Sequence, residues 1–177
     1  MEIVEISKDI IKDINGVNEP FEIIGRIKPE FVNDEWSYTE ELFENSHMHT
    51  YPDDDTDYFE YVDCPSKTAF LAYISGAFAG RIIVRKDWNK YVFVEDISVV
   101  QAQRGKGVGT ALMQKTIEWA KNEGMDGLAL ETQDNNLLAC RFYSKCGFKI
   151  GAVNTMLYNN LEKPFCDSMA VYWYMKF

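Results

Sequence analysis

Between Lys28 and Lys67 the chain has no lysine or arginine at all. A stretch so poor in positive charge cannot neutralise phosphates, which argues against a nucleic-acid partner. The four cysteines, Cys64, Cys140, Cys146 and Cys166, form no Cys-x-x-Cys pair, so neither a disulfide framework nor a zinc site is expected. Histidine is scarcer still: His47 and His49 lie two apart with no third ligand in view, and no metal is expected. No apolar run approaches the 18 or so residues of a membrane helix, and Met1-Glu-Ile-Val-Glu lacks the basic-then-apolar order of a secretion signal. The expectation is a cytoplasmic protein that does not bind membranes. Repeats, linkers and low-complexity tracts are absent too, so residues 1–177 are read as one domain.

What the region does contain is acid. Twelve of the chain's 28 acidic residues fall between Lys28 and Lys67, leaving sixteen elsewhere against 18 bases. The net charge of -10 therefore comes from one block. Within it, Tyr51 to Tyr61 interleaves Tyr51, Tyr58, Phe59 and Tyr61 with Asp53, Asp54, Asp55, Asp57 and Glu60. Carboxylates beside aromatic faces suit ammonium or guanidinium groups, so Asp53, Asp54, Asp55, Asp57, Tyr58 and Glu60 are candidates for binding a cationic substrate. The alternative is a solvated acidic loop whose aromatics anchor it to the core.

The order of elements follows from periodicity. Ile3 to Ile6 is a short apolar segment, and Ser7 can cap a helical turn leading to Ile10, Ile11 and Ile14. Phe21 to Ile27 is predicted as a strand and Tyr38 to Phe43 as a short helix. Thr68–Ile74 and Phe78–Val84 flank Ser75-Gly76, a hairpin signal. A strand over Val92 to Val100 leads into a helix whose face carries Leu112, Met113, Thr116, Ile117 and Ala120, with Gly124 at the stop. Leu128 to Thr132 is a strand, residues from near Asn136 to Cys146 a helix ended by Gly147, and two strands close the chain. Such an order makes an α/β fold with one mixed sheet and helices on its faces.

The strand and helix around residues 92–120 are joined by a glycine-rich turn, Arg104-Gly-Lys-Gly-Val-Gly-Thr110. Residues 105, 107 and 109 carry no Cβ, so backbone N–H groups can approach a ligand closely at a helix N-terminus, where the dipole favours an anion. The spacing fits neither nucleotide motif. A Walker loop needs Ser or Thr after the lysine, where Gly107 stands, and the dinucleotide fingerprint needs glycine where Thr110 stands. What remains is Arg104-x-x-Gly107-x-Gly109, which resembles the pyrophosphate motif of the GCN5-related N-acetyltransferases (GNAT), enzymes that use acetyl-coenzyme A. A second segment, Asn136-Leu-Leu-Ala-Cys-Arg-Phe-Tyr-Ser-Lys-Cys-Gly-Phe148, is similar to that family's Asn-x-x-Ala-x-x-Phe-Tyr-x-Lys-x-Gly-Phe helix. The resemblance runs from about Thr68 to the end. The segments Asn18-Glu-Pro-Phe-Glu, Val94-Glu-Asp-Ile-Ser-Val99 and Leu130-Glu-Thr-Gln-Asp-Asn-Asn136 further resemble the streptothricin acetyltransferases within it.

The resemblance implies the GNAT fold, with a mostly antiparallel sheet and a bulged central strand, and acetyl-coenzyme A as co-substrate without a metal. It implies antibiotic resistance by acetylation of an amino group on the β-lysine part of a cationic antibiotic. Ile97, Val99, Arg104, Gly105, Lys106, Gly107, Val108, Gly109, Thr110, Asn136 and Tyr143 would contact the coenzyme. Tyr143 would protonate the departing thiolate, and the bulge would fall near Ile97 to Val99. Glu95 and Asp96, adjacent on a strand, should point to opposite faces, so either could accept the amine's proton, but not both. Other acceptors, protein lysines or N-termini among them, and a non-catalytic coenzyme sensor remain open at this point. A homodimer is compatible with the sequence, which carries nothing that sets the oligomeric state.

Overall fold

Ser75 and Gly76, both with positive φ (51° and 78°), close a tight hairpin between β4 (Lys67–Ile74) and β5 (Ala77–Lys86). The computed structural model describes residues 1–16, 18–52, 56–163 and 165–177, and the chain divides into two compact units. The first comprises Met1–Glu19, Thr50–Leu128 and Phe177. Its strands run in the order β1 (Glu2–Glu5), β4, β5, β6 (Tyr91–Val99), each pair antiparallel. The alternation of β4 and β5 buries both faces. On one, Phe70 meets Trp119 of helix α1 (Val108–Asn122) edge to face at 6.3 Å. On the other, Ala69, Leu71 and Ile83 pack with Ile6, Ile14, Tyr58 and Tyr61. Each such large side chain contributes about 1.5–3 kcal/mol by leaving water. The turn expected after Ser7 is present only as a 3-10 turn at Ile11–Asp13, with Ile14 fully enclosed by the cluster.

Helix α1 buries Val108, Leu112, Met113, Thr116 and Ala120, close to the face expected, and Gly124 (φ 68°) follows its end. Thr116 satisfies its buried hydroxyl by donating to the Leu112 carbonyl at 3.1 Å.

The second unit comprises Pro20–His49 and Ala129–Lys176. β2 (Phe21–Val32) and β3 (Glu35–His49) form a long two-stranded hairpin. Here the helix predicted over Tyr38 to Phe43 is corrected to strand. Glu40, Glu41 and Leu42 favour helix locally, but Asn33 and Asp34 (φ 53° and 62°) make a primed turn that folds residues 35–49 back onto β2. Intrinsic preference yields to cross-strand pairing. The rest of this unit consists of β7 (Gly127–Gln133, whose first two residues belong to the first unit), α2 (Leu137–Cys146), β8 (Lys149–Asn154) and β9 (Ala170–Lys176). Its strands run in the order β7, β9, β8. Trp173 is its largest enclosed side chain, and Tyr38 meets that ring edge on at 5.9 Å.

Asp134, fully buried after β7, ties three elements of the unit together. Its Oδ1 accepts from the Met169 N–H at 2.7 Å, its carbonyl accepts from Ile27 N–H at 2.9 Å, and Arg26 lies 3.6 Å from Oδ2. Burial pushes this carboxyl above the usual aspartate range, against the opposing pull of the Met169 N–H and Arg26.

Candidate active site

The strand carrying the two candidate proton acceptors is irregular, and the irregularity changes which way they point. β5 and β6 pair Ile83 with Asp96 and Val84 with Val94, so Glu95 is an extra residue in β6. The register shift therefore falls at Glu95, ahead of Ile97, Ser98 and Val99, which pair regularly with β5. This corrects the expected position of the bulge along this ladder. It also corrects the expectation of opposite faces, because a bulge interrupts alternation. Asp96 shares the face of Ile83 and Arg81, and Glu95 reaches Arg85 on that same face.

Each acid meets an arginine. Arg81 Nε donates to Asp96 Oδ2 at 2.9 Å, its ring neighbour is Tyr58 (5.6 Å), and it also donates to the Ile14 carbonyl. Ser98 donates to Asp96 as well, at 2.9 Å. Arg85 Nε lies 3.1 Å from Glu95 Oε1, while Tyr61 donates to Glu95 Oε2 at 2.8 Å. Arg81, Arg85 and Tyr61 did not figure among the sequence candidates. The signal for the arginines was there, since residues four apart on a strand share a face. Tyr61 lies in the aromatic and acidic stretch, but nothing local signals its contact with Glu95, 34 residues away.

The acidic block is distributed differently from the expectation. Asp53, Asp54 and Asp55 lie outside the described residues. Asp57 caps a 3-10 turn over Tyr58–Tyr61, accepting from Phe59 N–H at 3.0 Å. Tyr58 is only 4% exposed and belongs to the apolar cluster, while Glu60 is exposed and already paired with Lys67 at 2.6 Å. Further back, Glu41 pairs with Lys28 and Glu40 with Arg141. That last guanidinium holds the Glu40 carboxyl below its usual range.

The glycine turn has the form its spacing predicted. A 3-10 turn at Gln101–Gln103 leads into Arg104, and Gly105 (φ 75°) and Gly107 (φ 88°) adopt left-handed conformations that suit glycine. Gly107 is the N-cap of α1, and no side chain caps the helix there. Lys106, Val108, Gly109 and Thr110 complete the turn and first helical residues. Arg104 braces this segment: its Nε donates to the Val99 carbonyl at 2.9 Å, and its guanidinium lies 3.9 Å from the Glu19 carboxylate. Glu19 also accepts from the Gln101 N–H.

In the second unit, Asn136 is the N-cap of α2, its Oδ1 accepting from Ala139 N–H at 3.2 Å. Seven residues on, Tyr143 shares its face of the helix, as two full turns require. Tyr143 is 8% exposed, with its ring 6.0 Å from Phe148 and 6.4 Å from Trp173. Cys140, on the same helix, is fully buried, and burial, with Asp134 adding to it, pushes its thiol up to about 12. Such a thiol is no nucleophile at neutral pH.

A family model described as the acetyltransferase (GNAT) family matches residues 30–148. The chain belongs to that family. Over 167 residues it is 50% identical to streptothricin acetyltransferase A of Bacillus subtilis (strain 168), covering 94% of this chain and 95% of that one. Among solved structures, it superposes with a TM-score of 0.91 and 34% identity on a protein of Bacillus anthracis provisionally assigned as a streptothricin acetyltransferase, in complex with acetyl coenzyme A, with 99% of each chain covered. A nourseothricin acetyltransferase aligns at a TM-score of 0.81 and 26% identity, over 99% of this chain and 97% of that one. The α/β fold expected of the family is thereby established. Among the described residues, no helix is long and apolar enough to cross a membrane.

Proposed function

We propose that the protein is an acetyl-coenzyme A-dependent N-acetyltransferase that acetylates streptothricin, and so confers resistance to it. The observation that carries this is the 50% identity to a streptothricin acetyltransferase along nearly the whole of both chains. The co-substrate is supported by the bound acetyl coenzyme A of the B. anthracis relative. The family model runs through both units, which supports residues 1–177 as one functional domain.

In this reading the pyrophosphate rests on backbone N–H groups between Gly105 and Thr110, with the uncapped start of α1 supplying partial positive charge. Arg104 shapes that turn through its contacts with Val99 and Glu19. Ile97 and Val99 would lie along the coenzyme's arm, and Asn136 would meet it with the part of its amide that the helix cap leaves unused. The attacking amine must be neutral, while a lysine-type amine is nearly all protonated at neutral pH. The proton goes to a carboxylate, for which Glu95 is favoured over Asp96. Both acids have two partners, but the guanidinium on Asp96 is the buried Arg81, with Ser98 beside it, whereas that on Glu95 is the more exposed Arg85, with Tyr61 opposite, so Glu95 keeps the easier route to pass a proton through water. The neutral nitrogen forms its bond to the thioester carbon, the carbon–sulfur bond breaks and Tyr143 donates a proton to the departing thiolate, while the second proton released by the nitrogen, relayed through water, restores the Tyr143 hydroxyl.

The test is release of free thiol from acetyl-coenzyme A with streptothricin, beside polyamines and lysine peptides. Acetylation of streptothricin with the highest kcat/KM is expected. Transfer to peptides alone would replace this reading with a protein acetyltransferase.

A further inference from the structure

Most of the carboxylates described above have a cation at hand. Asp96 has Arg81, Glu95 has Arg85, Asp134 has Arg26, Glu40 has Arg141 and Glu60 has Lys67. Glu131 differs. It lies on β7 in the second unit, half-buried, and among the described residues no lysine, arginine or histidine forms an ion pair with it. Its contact is a neutral one: Tyr158, in the connection between β8 and β9, donates its hydroxyl to Oε1 at 2.7 Å. Tyr172 stands close by on β9, the neighbour of β7. Its phenol is pushed upward by burial first and then by the negative charge of Glu131.

A carboxylate withdrawn from water without a counterion is costly, and burial accordingly raises the Glu131 carboxyl above the usual range despite the Tyr158 hydrogen bond. A bound cation would remove that cost. Two tyrosines beside one carboxylate are also the groups that recognise an ammonium, through charge-assisted hydrogen bonding and attraction to ring faces. All three residues keep partial exposure, so a ligand in solvent can reach them. Resting on the transferase reading above, we infer that Glu131, framed by Tyr158 and Tyr172, is an ammonium-binding site for the polycationic acceptor. The acceptor's amine supplies the counterion that the chain itself does not. Glu131 belongs to the segment Leu130 to Asn136, which the sequence sets apart but to which the coenzyme gives a role only at Asn136.

Calorimetric titration of streptothricin into coenzyme-free protein reads this site without turnover. Glu131→Gln, which keeps shape and removes charge, is expected to weaken binding about tenfold or more, the scale of a lost charged hydrogen bond. The KM for streptothricin should rise in step, with kcat and the KM for acetyl-coenzyme A nearly unchanged and the melting temperature unchanged or raised, since an unpaired charge is removed. Tyr172→Ala, which leaves the carboxylate in place, should raise the same KM about threefold or more by removing one ring face. Unchanged streptothricin binding in Glu131→Gln, or a fall in kcat alone, overturns the site. If Glu131→Gln does not fold, an unchanged KM in Tyr172→Ala overturns it instead. Wild-type protein that transfers acetyl to streptothricin while Glu131→Gln keeps its KM leaves the transferase reading standing and removes the site. Protein that binds streptothricin through Glu131 but transfers nothing has the reverse outcome.

Discussion

Tyr143 stands between two roles that a single atom separates. Its ring packs against Phe148 and Trp173 as any core tyrosine would, and phenylalanine would preserve that packing. In the proposed mechanism the hydroxyl alone serves the departing thiolate. Tyr143→Phe should therefore lower kcat tenfold or more, the general scale of acid catalysis, while the Kd for acetyl-coenzyme A stays nearly constant. Unaltered kcat would return Tyr143 to the core. Legibility at this scale was uneven. The places of Arg104, Gly107, Asn136 and Tyr143 in a turn and a helix could be read, because local spacing marks both elements. Glu131 with Tyr158, and Glu95 with Tyr61, could not, because 27 and 34 residues separate partners that only the folded chain joins. The orientation of Glu95 and Asp96 was misjudged for a related reason: a bulge is a property of two paired strands, and one strand's sequence does not record it.

Elements were most legible where the turn chemistry is local. Ser75-Gly76 announces its hairpin, and Gly124 and Gly147 mark helix ends, whereas Asn33-Asp34 turns without a glycine and the helix-favouring residues between Tyr38 and Phe43 mask the strand that follows it. The second unit joins β2, β7 and β9 through Asp134, and this junction can be tested. Asp134→Ala leaves the Met169 N–H without its acceptor, an expected loss of about 1–3 kcal/mol in urea unfolding. Asp134→Asn probes the charge. Because burial raises the carboxyl in the folded chain, the folded state holds the proton more tightly than the unfolded one. Its contribution to stability is thus full below the unfolded value of about 4 and is lost as pH rises through the folded value. The asparagine variant should show a smaller decline in stability over that window, and an identical decline would rule out Asp134 as its source.

For the molecule as a whole, charge is the property that sets it apart. Acids and bases nearly balance outside residues 29–66, so the field that a distant polycation meets is generated by that block. Asp53, Asp54, Asp55 and Asp57 changed together to asparagine should raise the KM for streptothricin and flatten its dependence on ionic strength, with little effect on the KM for acetyl-coenzyme A. If neither moves, the acids serve solvation only. Steering at long range by this block and capture at Glu131 are separable, since the first fades with salt and the second, partly shielded from solvent, fades less.

The bare start of α1 has a further meaning when stability and activity are weighed against each other. A helix beginning at Gly107 with no side-chain cap forgoes only a few tenths of a kcal/mol relative to serine or aspartate at such an end, and at φ 88° any side chain would be strained. A capping side chain at Gly107 would thus gain little stability, and in the proposed reading it would fill the room left there for an incoming phosphate. Heat tolerance and acetyl transfer therefore make no opposing demands at this glycine, since the same left-handed conformation that shuts out a capping side chain leaves the first N–H groups of the helix bare.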